Sequence, residues 1–246
     1  MITRSHIKSN NEAQSRYDEF WLERLDEMNN PDNYTNRRLH LFFLDLLGVP
    51  SDSDKKLLDV ACGGGGFLYW AEQRVSCWGI DFSQVASDYA KKLLRKSRVE
   101  VGNVESLPYP DSEFDFVTCL GSLEHFHDMD KALREMNRVL KDDGKLLIHV
   151  PNAYFLLYVI RVWRHGDLLT PEQAEDRYDT INGWQRLIEQ NGFRITRVEA
   201  CNLKFPMRLS QFIKNPVRCI AQQLYPILTP KNLSYGFAYV TCKEKR

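Results

Sequence analysis

Residues 57–68 read Leu-Leu-Asp-Val-Ala-Cys-Gly-Gly-Gly-Gly-Phe-Leu, an apolar strand pattern that runs into four glycines and then a helix pattern. Glycine turns the backbone tightly and lets a ligand approach it with no side chain between. A strand-to-helix corner of this kind binds nucleotides in open α/β sheets. Two spacings compete for it. Ala61, Gly63 and Gly66 come close to the G-x-G-x-x-G of dinucleotide sites. Asp59, Ala61, Gly63 and Gly65 fit D-x-G-x-G-x-G, in both cases with alanine in the first glycine position. Asp59 favours the second spacing. A carboxylate inside a strand end needs a donor, and a ligand ammonium, directly or through the loop amides, would supply one. Asp81 stands eighteen residues after Gly63, where an acid hydrogen-bonds ribose hydroxyls. The plainer reading of Asp81 is a turn aspartate before a capping Ser83.

Glu124 and His125 follow the apolar run 114–120, and His149 closes the run 145–150. Both places border the carboxyl ends of strands, where ligands bind in such sheets. His125 is the favoured base, with a packing histidine at a helix start as the alternative. His127 reads as a solvent-side neighbour. His149 reads as a strand residue with a satisfied ring that nonetheless borders the crevice.

The elements that must position these residues alternate. Strands are expected at 57–61, 75–80, 99–101, 114–120 and 145–150. Helices are expected at 67–73, after Ser83, and from Ala132 to an end near Gly144. Strand–helix alternation means a parallel, doubly wound α/β sheet. Two late strands are expected at 194–200 and 237–242, after a short helix around Trp184. Upstream, residues 1–11 read as disordered. The stripes Tyr17, Phe20, Trp21, Leu25, Met28 and Leu39, Phe42, Phe43, Leu46, Leu47 give two helices that either cap the crevice or cover a sheet face.

With 246 residues, 43% of them hydrophobic, the chain suits one decorated α/β domain: a helical cap at 1–50, a core at 51–150, and acceptor-side lids at 151–181 and 203–235. Lys+Arg and Asp+Glu balance at 33 each, so no charge footprint for a nucleic-acid backbone is expected. The six cysteines form no C-x-x-C pair, which fits a reducing, cytoplasmic setting. The N-terminus lacks a signal-peptide pattern, and no apolar run reaches spanning length.

Further motifs follow the third strand. They are Gly102-Asn103-Val104-Glu105, Leu107-Pro108-Tyr109-Pro110-Asp111, Glu113-Phe114-Asp115-Phe116-Val117, Ser122-Leu123-Glu124-His125, and Leu140-Lys141-Asp142-Asp143-Gly144-Lys145. Over residues 35–200 the chain resembles the class I S-adenosylmethionine-dependent methyltransferases of the small-molecule type. The resemblance implies a seven-stranded Rossmann-like sheet whose last strand inserts antiparallel beside the fifth. It implies that Asp59, Ala61, Gly63 and Gly65 hold the methionine end of S-adenosyl-L-methionine. Asp81 would hold the ribose, with Phe82, Asn103 and Val104 at the adenine and Leu120 under the sulfonium. The family usually has glycine where Ala61 stands and aspartate where Asn103 stands. Alanine is tolerable if its φ is negative, and asparagine can both donate to and accept from adenine. Some relatives bind metal through a Glu-x-x-Glu-His cluster. Gly121 replaces the first glutamate here, so no metal is expected.

The expected function is methyl transfer to a hydroxyl of a small molecule, a sugar or glycan precursor being one class. Carbon or nitrogen remain alternative acceptor atoms. Tyr154, Phe155, Tyr158, Arg161, Trp163 and Arg164 fit three readings. They would clamp an anionic acceptor, lie on a membrane presenting a lipid-linked or quinone-like one, or form a lid helix over the core, the reading preferred for most of them. The rivals in other classes are a catalytically silent cofactor-binding regulator and an NAD-dependent oxidoreductase.

Overall fold

The computed structural model describes residues 10–28, 37–166, 177–202, 224 and 228–244. Pro206, Pro216 and Pro226, and most of the 203–235 lid, lie outside them.

Helices α1 (Asn10–Met28) and α2 (Arg37–Leu47) precede the sheet. The alternating core is β1 (Lys56–Val60), α3 (Gly66–Ala71), β2 (Ser76–Asp81), α4 (Gln84–Leu93), β3 (Arg98–Val101), β4 (Phe114–Leu120), α5 (Met129–Val139) and β5 (Leu140–Pro151). Helices α6 (Leu156–His165) and α7 (Ile181–Gln190), then β6 (Phe193–Cys201) and β7 (Gly236–Lys243), complete the chain. The seven strands lie in the order β3-β2-β1-β4-β5-β7-β6. Strands β1 to β5 pair in parallel, and β7 runs antiparallel between β5 and β6, as the resemblance implies.

Strand order reverses between β1 and β4, which puts the ligand crevice of an open sheet at their carboxyl ends. Pairing carries one lateral row, Asp59, Thr118, Leu147 and Val240, across four strands. Two rows further toward the carboxyl edge lie Leu120, His149 and Ala238. Each sheet face buries its own apolar cluster. Met136, Trp184 and Ile188 cover one face, while Phe43, Leu47 and Phe67 cover the other.

Three local expectations change. Asn10 and Asn11, expected to be disordered, begin α1. Helix α5 stops at Val139 rather than near Gly144, because Leu140 pairs with Phe114 and starts β5. Gly144 is small for packing instead: a Cβ there would lie 2.7 Å from Leu140 Cδ1 and 3.0 Å from the Asp115 carbonyl oxygen. Lastly, α6 is no lid over the core. None of its side chains is buried, and only Phe155, the residue preceding it, packs inward.

Candidate active site

The glycine corner leaves β1 through three left-handed residues, Ala61 (φ 54°), Gly63 (φ 52°) and Gly65 (φ 80°). Negative φ at Ala61 was the condition for alanine there, and it is not met. The left-handed region costs an alanine roughly 1 kcal/mol, so the loop stores strain at that position. Asp81, ending β2, fixes the loop. Its Oδ2 accepts from the Gly63 amide at 2.7 Å and its Oδ1 from the Ser83 amide at 2.9 Å. Ser83 caps α4 by accepting from the Ala86 amide. The plain reading of Asp81 therefore describes real bonds, and each carboxylate oxygen keeps a lone pair for a further donor.

Asp59 is buried two rows below Leu120. Its donor is the Thr118 hydroxyl, 2.6 Å away on the neighbouring strand. Burial pushes the Asp59 carboxyl up to about 7, against that hydrogen bond, and the charge of Asp81 adds to the rise. Burial also lifts Asp81 to about 6, opposed by the Ser83 and Gly63 amides, with Asp18 adding to it. Among the described residues no Lys, Arg or His forms an ion pair with Asp18, Asp59 or Asp81. Three carboxylates thus gather around the glycine corner, with no cation partner among the described residues.

Asp18 comes from α1, whose role the sequence leaves open. The helix lies across the corner. Asp18 accepts from the Ser83 hydroxyl and, at 3.2 Å, from the Val85 amide. The Trp21 ring lies so close to Gly63 that a Cβ there would sit 2.7 Å from it. Tyr17 meets Phe82 edge-on at 6.2 Å and donates its hydroxyl to the His125 carbonyl at 3.5 Å. Helix α2, in contrast, buries Phe43, Leu44 and Leu47 on a sheet face. The two upstream helices divide the alternatives between them.

Beyond β3, Asn103 Oδ1 caps the Val104–Ser106 turn by accepting from the Glu105 amide. Val104 is buried and Phe82 half-buried. The turn after β4 brings Glu124 Oε1 to 3.8 Å from His125 Nε2, while His127 is exposed. His149 departs from its expected satisfied ring. Its Nε2 is buried with no hydrogen-bond partner, and the ring packs 5.3 Å from Phe43. Burial pulls its pKa down to about 4, so the imidazole is neutral at physiological pH. Among the described residues no three His, Cys, Asp or Glu side chains gather as metal ligands would.

Thr118 and Asp18 are the site neighbours that sequence reading missed, while Tyr17 and Trp21 stood in a stripe whose place was left open. The aromatic stripe of α1 was visible, but its target was not.

Residues 58–148 match the family model described as Methyltransferase domain. The uncharacterized methyltransferase YcgJ of Bacillus subtilis (strain 168) is 30% identical over 171 residues, covering 66% of this chain and 65% of that protein. Ajmaline N-methyltransferase of Rauvolfia serpentina is 36% identical over 110 residues, 40% of this chain and 38% of that protein. The chain thus spans less than two thirds of the length of these curated relatives. The fold is shared with a geranyl diphosphate methyltransferase solved with GPP and sinefungin, at a TM-score of 0.60 and 17% identity over 84% of this chain and 78% of that one. The matched segment begins inside β1 and ends inside β5, so it contains the glycine corner, Asp81 and the Glu124–His125 turn. By that match, residues 58–148 form a methyltransferase domain, and by its strand order the chain is similar to the class I S-adenosylmethionine-dependent methyltransferases.

Proposed function

We propose that the protein moves the methyl group of S-adenosylmethionine to a hydroxyl of a small molecule. The observation that carries this reading is the set of carboxylates at the glycine corner. Asp59, Asp81 and Asp18 have no cation partner among the described residues, and the cofactor brings an ammonium and a sulfonium. Left-handed Gly63 and Gly65 let its methionine end approach the backbone, with Asp59 and Ala61 on the β1 side. Asp81 would accept from the ribose hydroxyls. Phe82, Asn103 and Val104 would hold the adenine, and Leu120 would lie on the sulfonium side.

When bound, the cofactor supplies a methyl carbon whose bond to sulfur breaks toward sulfur as the acceptor oxygen attacks, giving S-adenosylhomocysteine and one proton from the hydroxyl. The protein needs mainly to align the acceptor and exclude water. Trp21 and Tyr17 close the cofactor side. His149 Nε2, buried and unpartnered, accepts a hydrogen bond from the acceptor hydroxyl and orients it. Its low pKa prevents it from keeping the proton. His125, backed by Glu124, passes that proton to solvent. A sugar or glycan precursor suits the arginines and aromatics of 151–166, and the named N-methyltransferase among the relatives makes nitrogen the second acceptor atom.

The test is release of S-adenosylhomocysteine in the presence of panels of sugar, glycolipid, phenol and amine acceptors. Turnover with a hydroxyl acceptor, reduced at least tenfold in His149→Leu, is expected. Turnover only with amines would replace the acceptor class. Cofactor binding without turnover on any panel would make the protein a cofactor-binding regulator.

A further inference from the structure

Helix α6 leaves the carboxyl end of β5 at the rim of the crevice, and its root is fixed. Asn152, buried, donates to the carbonyls of Asn232 and Ser234 at 2.8 Å each, and Trp184 Nε1 donates to the Pro151 carbonyl at 2.8 Å. From this rigid base the helix projects apolar groups into solvent. Trp163 is 83% exposed, and Val159, Ile160 and Val162 are exposed around it. At 3.6 residues per turn these side chains share one side of the helix, while Arg161, Arg164 and His165 fall on the other. The helix holds no Asp or Glu. In sequence, the segment 203–235 repeats the bias, with Lys204, Arg208, Lys214, Arg218 and Lys231 among apolar residues and no acid. Against a whole chain balanced at 33 charges of each sign, this positive excess is local.

An exposed apolar face flanked by arginines, with tryptophan on it, is the composition of a helix lying in a bilayer interface. We propose that α6 docks the protein on an anionic phospholipid surface, and that the acceptor is a lipid-borne molecule presented there to the carboxyl ends of β4 and β5. No described helix is long and apolar enough to cross a membrane, so this is surface contact. The identity of the acceptor rests on the methyl-transfer reading; the docking does not.

The experiment is flotation of the full chain with phosphatidylcholine vesicles, with and without phosphatidylglycerol, alongside S-adenosylhomocysteine titration of the same samples. The protein is expected to float with the anionic vesicles and not with phosphatidylcholine alone. Removing each of Arg161 and Arg164 should weaken flotation about fivefold, and Val159→Asp with Trp163→Asp should abolish it. Cofactor binding should stay unchanged in all variants. If the aspartate pair fails to fold, seen as lost cofactor binding, the arginine variants decide. Absence of flotation on anionic vesicles overturns the proposal. So does a concentration-dependent dimer that Val159→Asp dissolves, because a second copy would then cover the face. Flotation without cofactor binding leaves docking intact and removes the methyl-transfer reading instead.

Discussion

The Thr118 hydroxyl reaches from β4 to the Asp59 carboxylate on β1 at 2.6 Å, joining the two strands whose divergence opens the crevice. Thr118→Val keeps the shape and removes the donor. The carboxyl is then buried without that bond, at a cost of about 1–3 kcal/mol. Thr118→Ser should recover most of the loss. Urea unfolding of the three proteins measures this, and equal stabilities would mean the bond contributes nothing net.

The same carboxyl ties cofactor affinity to pH. Asp59 and Asp81 retain protons in the free protein that the unfolded chain has released between about pH 4 and 7. Their ionisation therefore destabilises the free fold as pH rises through that window. Asp59→Asn should gain stability relative to the parent as pH rises between about pH 4 and pH 7. Binding of a cationic ligand needs the ionised forms, so S-adenosylmethionine should bind more tightly as pH rises over that range, releasing protons as it does. Calorimetry in buffers of different ionisation enthalpy counts them. A pH-independent affinity would disconnect these groups from the ligand.

Ala61 gives a second stabilising prediction. At φ 54° it occupies a conformation that glycine adopts freely. Ala61→Gly should stabilise the protein by about 0.5–1 kcal/mol after the added flexibility of the unfolded chain is counted. Ala61→Val should destabilise it, since branching at Cβ worsens the strain. Thermal unfolding of the pair separates loop strain from cofactor contact.

Trp21 lies on Gly63, and Asp18 holds α1 against Ser83 and Val85. If α1 covers the bound cofactor, Trp21→Ala should weaken S-adenosylhomocysteine binding about tenfold, the effect of losing the burial of one large apolar group. Most of that change should appear in the dissociation rate. Stopped-flow release kinetics would show it, and tighter binding in Trp21→Ala would mean that the ring competes with the ligand.

Much of the sheet was legible because its signals are local. Apolar runs separated by helix periods mark β1 to β5, and the glycines with Asp81 mark the corner. What escaped depends on lateral contact. Thr118 becomes the partner of Asp59 only once β1 and β4 are paired in register. The aromatic stripe of α1 fits either a crevice cap or a sheet-face cover in sequence, and only the packed structure sets Trp21 on Gly63 and Tyr17 on Phe82. The smallness of Gly144 answers to Leu140 and Asp115 rather than to a helix end. His149 seemed a satisfied strand histidine, because only the packed structure shows that no donor or acceptor meets its Nε2.

The central claim is that the corner formed by Asp59, Gly63, Gly65 and Asp81 takes S-adenosylmethionine. Calorimetric titration with S-adenosylhomocysteine and, separately, NAD, repeated on Asp81→Ala, tests it most directly. Binding of S-adenosylhomocysteine alone, lost in the variant, is the expected result. Tight binding of NAD, or no binding of S-adenosylhomocysteine, would contradict the cofactor assignment and every role built on it.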